Sequence, residues 1–233
     1  MEGRGGRAWL ALSRPTRHSE EVKVQTRFVT SAADPKQFPA PSAPEIAFLG
    51  RSNVGKSSLI NSLVADKIAK TSNTPGRTQT INFFELRRPG KPQPEFFFVD
   101  LPGYGYARVP KAITTLWSGF IDPYLESRES LALCVSLVDI SIPPQQSDIQ
   151  LHEWLHHHDR PYLVVATKAD RISTNLLRKS LATLSQALGI AVEAIIPFSS
   201  KSRVGHVQLW RAIQEAAHIE PPGAPRTSEP EAE

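Results

Sequence analysis

The 233-residue sequence predicts an α/β fold with a doubly wound, mostly parallel sheet and helices on both faces. Short, almost entirely apolar segments recur along the chain, as expected for strands that are buried on both faces of a sheet. Segments with helical hydrophobic period alternate with them. Hydrophobic residues make up 40% of the chain, which is enough for a sizeable core. No apolar run approaches the roughly 18 residues that a membrane span requires.

The strands and helices follow from these patterns in order. The predicted strands are residues 45–49, 81–86, 95–99, 131–138, 162–166 and 194–198. The predicted helices are residues 56–64, 111–127, 147–158, 174–188 and 205–218. A turn rich in Pro, Gly and Lys at 87–94 joins the second and third strands, so this pair predicts one antiparallel strand in the sheet.

Composition at the two ends differs from that of the middle. We expect residues 1–22 to be a disordered leader, because they are rich in Arg and their five-residue apolar run is too short for a secretory signal. Residues 220–233 predict a disordered tail rich in Pro and Glu, which leaves residues 23–219 as one domain. The single cysteine, Cys134, excludes an intramolecular disulfide framework and suits a reducing compartment. We expect a cytoplasmic monomer.

One segment matches the phosphate-binding pattern G-x-x-x-x-G-K-[ST] between a predicted strand and a predicted helix. It consists of Gly50, Arg51, Ser52, Asn53, Val54, Gly55, Lys56 and Ser57. Glycines allow the backbone to curl so that its N–H groups point at phosphate oxygens, and the start of the helix adds its positive dipole end. Lys56 would reach the β and γ phosphates, and the Ser57 hydroxyl would bind Mg²⁺.

This P-loop alone leaves ATPases, kinases and GTPases open. A second motif follows a predicted strand and consists of Asp100, Leu101, Pro102 and Gly103. At that position an acidic group can orient Mg²⁺, and the glycine N–H can meet the γ phosphate.

A third motif indicates which base is bound. It consists of Thr167, Lys168, Ala169 and Asp170. A carboxylate at Asp170 can accept hydrogen bonds from the ring N–H and the amino group of guanine, whereas adenine would leave that charge unpaired. The stem of Lys168 can lie over the base or brace the P-loop. A last segment, Phe198, Ser199 and Ser200, would bring a backbone N–H to the guanine carbonyl oxygen.

Two longer strings join these motifs, at residues 74–79 (Thr-Pro-Gly-Arg-Thr-Gln) and 100–107 (Asp-Leu-Pro-Gly-Tyr-Gly-Tyr-Ala). With them, residues 25 to 217 resemble the EngB (YihA/YsxC) family of bacterial GTPases. The resemblance implies a Ras-like GTP-binding domain that acts on the large ribosomal subunit and its rRNA during assembly and is needed for normal cell division and septation. It also implies that the nucleotide contacts a switch segment, in which Thr78 binds Mg²⁺ beside Ser57 and acts in catalysis with Lys56. That segment comprises Gly76, Arg77, Thr78, Gln79 and Thr80.

The residue after Gly103 qualifies the mechanism. Ras-like proteins carry a water-orienting glutamine there, and this chain has Tyr104, so we expect slow hydrolysis. Related GTPases with Asn at the position of Asn53 use potassium, and our hypothesis is that Asn53 helps to hold a K⁺ ion; the alternative is that it only hydrogen-bonds within its loop. Arg77 is either a built-in arginine finger or a solvated residue. The rival functions are a binding module with negligible hydrolysis and an ATP-using enzyme.

Other features have simpler interpretations. His152 to His156 spell H-E-x-x-H, a zinc-protease signature, but we interpret this segment as a helix with a solvated His-rich face. Tyr124 lies at helical spacing from Trp117 and Phe120, which predicts a helix core. Cys134 is predicted to be an inert core residue. Three basic residues are candidates for an RNA contact, although scattered surface charge explains them equally: Lys201, Arg203 and Arg211.

Overall fold

The computed structural model describes residues 24–69, 80–104 and 121–217. The strands are β1 (Gln25–Ala32), β2 (Glu45–Gly50), β3 (Ile81–Arg87), β4 (Phe96–Asp100), β5 (Leu131–Asp139), β6 (Tyr162–Thr167) and β7 (Ile195–Pro197). The helices are α1 (Lys56–Val64), α2 (Asp122–Ser127), α3 (Gln146–His157), α4 (Thr174–Leu188) and α5 (His206–Ala217). Within these described ranges, no helix is both long and apolar enough to cross a membrane.

The seven strands form one sheet in the order β1-β3-β4-β2-β5-β6-β7. β3 runs antiparallel to both of its neighbours, β1 and β4. The pairs β4–β2, β2–β5, β5–β6 and β6–β7 are all parallel. The predicted fold class is therefore confirmed, including the single strand that runs against the others.

Two apolar layers cover the sheet, one on each face. Ile46 and Phe48 of β2 point into the layer that contains α1 and α5, whereas Ala47 and Leu49 point into the layer that contains α3 and α4. All four side chains are completely buried. The strand reads as a continuous apolar run because both of its faces are covered.

The first strand was not predicted. β1 lies at the edge of the sheet, and most of its residues are exposed or half-buried, so it contains no apolar run. Of the predicted helix 111–127, the structure describes α2, and residues 111–120 lie outside the described residues, as do the predicted leader and tail. Tyr124 is fully buried, while Trp117 and Phe120 lie outside the described residues. Cys134 is fully buried in β5, as predicted.

The two histidines of the H-E-x-x-H segment differ in their surroundings. His152 is buried and its ring meets that of Tyr162 edge-on, with centroids 4.8 Å apart, whereas His156 is exposed. Among the described residues, no group of three or more His, Cys, Asp or Glu side chains could hold a metal ion. The His152 side chain thus packs from α3 against β6.

A buried carboxylate stabilises the sheet at the end remote from the P-loop. Glu45 begins β2 and is 1% exposed. Its oxygens accept hydrogen bonds from the Tyr124 hydroxyl at 2.8 Å and the Ser130 hydroxyl at 2.9 Å, and it forms an ion pair with Arg128. The network satisfies a charge that would otherwise be costly to bury.

Candidate functional site

The P-loop connects β2 to α1, and its backbone departs from ordinary conformations at two residues. Asn53 and Gly55 have φ angles of 65° and 107°, in the left-handed region that curls the chain. Gly50 is required for packing, because a Cβ there would lie 2.7 Å from the Val54 side chain and 3.1 Å from the Leu137 Cβ. The local sequence therefore produces a tight loop at the end of a buried strand.

Helix α1 presents its N-terminus to this loop. Its N-cap is Gly55, which has no side chain to occupy the N–H groups of the first turn. Those groups and the helix dipole favour an anion at this position. Lys56 and Ser57 are the first two residues of the helix, so both lie beside the same concavity.

The first and second motifs meet through an ion pair. The Lys56 ammonium contacts Oδ1 of Asp100, and the two side chains are only 10% and 7% exposed. Asp100 ends β4, next to β2 in the sheet, which explains why residues 44 positions apart meet. Hydroxyl and carboxylate oxygens, as supplied by Ser57 and Asp100, are the ligands that Mg²⁺ prefers. The donor set therefore fits this metal.

The Asp-Leu-Pro-Gly turn lies directly against the P-loop. The Tyr104 N–H donates to the Gly50 carbonyl at 3.3 Å, and the Ser52 N–H donates to the Tyr104 carbonyl at 3.0 Å. A Cβ on Gly103 would lie 3.0 Å from the Ser52 nitrogen, so a larger residue would push the turn away. The turn and the P-loop are thus held as neighbours.

The third motif braces the P-loop from the other side. The Thr167 hydroxyl lies 2.7 Å from the Val54 carbonyl and 3.1 Å from the Val138 carbonyl. The Lys168 ammonium donates to the Asn53 carbonyl at 2.8 Å and to Oδ2 of Asp139 at 2.5 Å. The lysine ammonium thus braces the P-loop, one of the two roles expected for Lys168.

The predicted base-reading acid is held by the last motif. The Ser199 hydroxyl donates to Oδ1 of Asp170 at 2.7 Å, and Ser199 is itself 1% exposed. Its oxygen also accepts from the backbone N–H groups of Lys201 at 3.2 Å and Ser202 at 3.1 Å. A further bond, from the Ala169 N–H to the Phe198 carbonyl at 3.1 Å, joins the two loops. The orientation of the Asp170 carboxylate is therefore set by its neighbours.

The structure brings together four of the predicted segments at the carboxyl ends of parallel strands, where ligands bind in open α/β sheets. These segments are residues 50–57, 100–103, 167–170 and 198–200. Gly76, Arg77, Thr78 and Gln79 lie outside the described residues. Thr80 directly precedes β3, and its hydroxyl lies 3.4 Å from Oδ1 of Asn82.

Two carboxylates that no sequence motif indicates lie beside the site. Asp139 ends β5 and binds Lys168, and Asp148 in the first turn of α3 accepts a hydrogen bond from the Tyr104 hydroxyl at 3.0 Å. The only local signal for Asp139 was its position at the end of an apolar strand, which is the same signal that identified Asp100.

Burial affects these two acids differently. Burial by itself would raise the pKa of Asp139, but the Lys168 ammonium and the hydroxyl and N–H of Ser141 outweigh it, so that pKa lies below its ordinary value. Burial raises the pKa of Asp148, although the Tyr104 hydroxyl and the Arg51 guanidinium oppose the rise. Asp139 is therefore a charged partner for Lys168 at neutral pH.

The fold, with the four motifs at one edge of its sheet, is that of a P-loop GTPase domain of the Ras-like kind. A family model described as "50S ribosome-binding GTPase" matches residues 45–168, which include the first two motifs and the first two residues of the third. A crystal structure of a probable GTP-binding protein engB has the same fold, with a TM-score of 0.60, 24% identity, and coverage of 74% of this chain and 98% of that one. A structure of Era in complex with MgGDPNP and nucleotides 1506-1542 of 16S ribosomal RNA has a TM-score of 0.59 at 21% identity, covering 80% of this chain and 60% of that one.

Curated relatives are more similar in sequence. The "Probable GTP-binding protein EngB" of Koribacter versatilis is 63% identical over 201 residues, covering 86% of this chain and 98% of the relative. The protein of the same description from Acidobacterium capsulatum is 54% identical over 197 residues, covering 84% and 92%. The chain belongs to the EngB family of GTP-binding proteins.

Proposed function

We propose that this protein is a magnesium-dependent GTP switch with slow GTPase activity that acts on the large ribosomal subunit during its assembly. One observation carries the proposal: the Lys56–Asp100 pair lies at the end of β4 on one side of the P-loop strand β2, and the Ser199–Asp170 pair follows β6 and β7 on the other side. The first pair provides the charges that a triphosphate and its metal require. The second provides an oriented acid that can select guanine.

Each motif then has a part in holding the nucleotide. The P-loop N–H groups and Lys56 bind the phosphates, and Ser57 with Thr78 holds Mg²⁺, which supplies charge neutralisation at the phosphates. The Gly103 N–H meets the γ phosphate. Asp170 pairs with guanine, and the backbone of the 198–200 segment meets the guanine carbonyl oxygen.

The surroundings of Tyr104 support slow turnover. Its side chain is 7% exposed, and its hydroxyl donates to Asp148 at 3.0 Å. The phenol is thus buried and its hydroxyl already has an acceptor. It also lacks the amide that orients water in Ras-like enzymes. Aids to this transition state contribute orders of magnitude; an arginine finger, for example, contributes about 10³–10⁵ in rate. We propose that the ribosomal partner accelerates the reaction.

A potassium ion is a second element of the proposal. Asn53 is exposed and lies in the P-loop, the segment that would hold the phosphates. We propose that Asn53 helps to bind K⁺ there. Single-turnover hydrolysis in KCl should be faster than in NaCl, and Asn53→Ala should remove the difference. Equal rates in the two salts would contradict this element alone.

A binding module with negligible hydrolysis is the alternative, in which ordering of the switch segment by the γ phosphate carries the function. Single-turnover measurements with and without large ribosomal subunits distinguish the two. A rate that rises with the subunits supports the GTPase switch. A rate that stays negligible supports the module.

The family description, which names 50S ribosome binding, supports the large subunit and its rRNA as the partner. We propose that the protein works as a monomer in the cytoplasm and that defects in cell division and septation follow from its loss. Co-sedimentation with large subunits in the presence of GTP, of GDP and of no nucleotide tests the partner. We expect retention with GTP only, and equal retention in all three would contradict a switch. Substitution of Lys201 and Arg203, both exposed, tests whether this loop contributes.

A further inference from the structure

Tyr104, the first residue after the Asp-Leu-Pro-Gly turn, is attached to two different parts of the protein. Its backbone forms a parallel bridge with Arg51 of the P-loop, through the hydrogen bonds to Gly50 and Ser52 described above. Its hydroxyl donates to Oδ1 of Asp148 in α3 at 3.0 Å. The phenol therefore links the turn beside the P-loop to a helix on the outside of the sheet.

The acceptor, Asp148, is itself held in place. It is 3% exposed, and its second oxygen, Oδ2, accepts from the backbone N–H of Gln145 at 3.3 Å. The Gln145 side chain in turn accepts from the Asp148 backbone, which completes a reciprocal capping box at the start of α3. One carboxylate thus caps the helix with one oxygen and holds Tyr104 with the other.

Arg51 belongs to the same cluster. Its Nε atom is buried and has no hydrogen-bond partner among the described residues. Its positive charge lowers the pKa of Asp148, against the larger effect of burial, and so favours the carboxylate that Tyr104 requires as an acceptor. The P-loop, the turn and α3 each contribute one side chain to this cluster.

We infer that Asp148 is a positioning residue for the γ phosphate: through the Tyr104 phenol, it keeps the Gly103 turn against the P-loop and thereby favours GTP over GDP. The inference rests on the proposed function, in which the Gly103 N–H meets the γ phosphate. Gly103 directly precedes Tyr104 and packs against Ser52: a Cβ added to Gly103 would lie only 3.0 Å from the Ser52 backbone nitrogen. Releasing the phenol allows this turn to leave the P-loop, and binding of the triphosphate must then order it again.

A purely structural role would have a different signature. If the Tyr104–Asp148 bond only stabilised the fold, its loss would weaken the binding of GTP and GDP alike. Because only the triphosphate has the group that Gly103 meets, the positioning role changes the ratio of the two affinities. The ratio of dissociation constants for a non-hydrolysable GTP analogue and for GDP is therefore the informative quantity.

Tyr104→Phe removes the hydroxyl and leaves the ring and the helix cap in place. We expect it to weaken binding of the GTP analogue by about tenfold, the size expected for losing one hydrogen bond to a charged group, and to leave GDP binding unchanged. Asp148→Asn leaves one acceptor oxygen for two donors, the Tyr104 hydroxyl and the Gln145 N–H, and it removes the negative charge, so it should shift the ratio in the same direction. The double variant should shift the ratio no further than the stronger single variant, because both changes act on the same hydrogen bond between Tyr104 and Asp148. If Tyr104→Phe does not fold, the same ratio of dissociation constants is measured in Asp148→Asn.

Two matched controls separate positioning from stability. Tyr124→Phe removes another buried hydroxyl that donates to a carboxylate, Glu45, at the opposite end of β2. Gln145→Ala removes the other half of the α3 capping box and leaves the Tyr104 bond. Both should lower the melting temperature without changing the ratio. An unchanged ratio in Tyr104→Phe and Asp148→Asn, or an equal change in Tyr124→Phe, would overturn the inference.

The two proposals fail in distinguishable ways. If the wild-type protein binds neither guanine nucleotide, the proposed function is wrong and the inference falls with it. If the wild type binds both nucleotides and the ratio is the same in every variant, only the positioning role of Asp148 is wrong.

Discussion

Lys168 donates a hydrogen bond of 2.8 Å to the backbone carbonyl of Asn53, joining residues 115 positions apart. The bond connects the loop that contains Asp170, the proposed base-reading acid, to the loop that would hold the phosphates. Asp139 fixes the same ammonium group from β5 at 2.5 Å. The positions of the two ends of the proposed nucleotide site are therefore coupled.

Asp139→Asn tests this coupling. The substitution leaves the Lys168 charge without its ionic partner in a site where the lysine side chain is 19% exposed. We expect the free energy of unfolding to fall by about 1–3 kcal/mol and the affinity for GTP and GDP to fall together by about tenfold. Urea denaturation and equilibrium binding measure the two effects. Glu95→Gln is the control, because its partner Arg88 is 51% exposed, and a surface pair of that kind contributes about 0–1 kcal/mol. An equal loss in both variants would contradict the special position of Asp139.

Gly205 tests how the 198–200 segment is supported. It precedes α5 with a φ of 76°, and a Cβ there would lie 2.1 Å from the Pro197 carbonyl oxygen. Gly205→Ala should therefore destabilise the protein by more than the roughly 1–3 kcal/mol of backbone strain alone and should also weaken guanine binding. Gly189→Ala is the matched control, since Gly189 has a φ of 66° but no atom within 4 Å of the added Cβ. Similar melting temperatures for the two variants would contradict the predicted clash.

The sequence predicts the parts of this fold that depend on local patterns. The five parallel strands β2, β4, β5, β6 and β7 are apolar because the sheet is covered on both faces, and α1 follows its P-loop directly. The sequence does not predict β1 because most of its residues are exposed or half-buried, so the strand contains no apolar run. Its pairing with β3 depends on register and not on any local pattern.

The motifs of the site were predictable because they are short and contiguous. Their supports were not, because Asp139 and Asp148 meet their partners over 29 and 44 positions of chain. Nothing near Asp148 in the sequence indicates that Tyr104 will reach it. The capping box with Gln145 is a local pattern, and it predicts a helix start but not a contact with the turn.

His152 makes the stability depend on pH. Burial lowers its pKa below the ordinary value of 6.5, and the neighbouring His156 adds to this, while the Leu188 carbonyl and Glu153 oppose it. The unfolded chain therefore takes up a proton more readily than the folded protein does. The stabilising contribution of neutral His152 is fully present above about pH 6.5 and is lost as the pH falls toward the pKa of the folded state. We expect urea denaturation to give a lower free energy of unfolding at about pH 5.5 than at about pH 7.5. His152→Gln should reduce that difference. His157→Gln, at an exposed position of the same helix, should keep it. The same pH dependence in all three proteins would contradict this role of His152.

Cys134 should be unreactive in the folded protein. Burial raises the pKa of its thiol to about 12, and the residue has no exposed surface. Since the thiolate is the reactive species, a thiol reagent at about pH 8 should label none of the native protein and should label the single cysteine fully in denaturant. Rapid labelling of the native protein would show that β5 opens or is misplaced.

Exchange of base preference by Asp170→Asn tests the central claim most directly. The claim is that the carboxylate oriented by Ser199 selects the purine. An amide at this position presents a donor where xanthine has a carbonyl, so the variant should bind XTP better than GTP, while the wild type binds GTP better than XTP or ATP. Competition binding with all three nucleotides measures this. A folded variant that still prefers GTP, or a wild type that binds ATP as well as GTP, would contradict the assignment of the base-reading site.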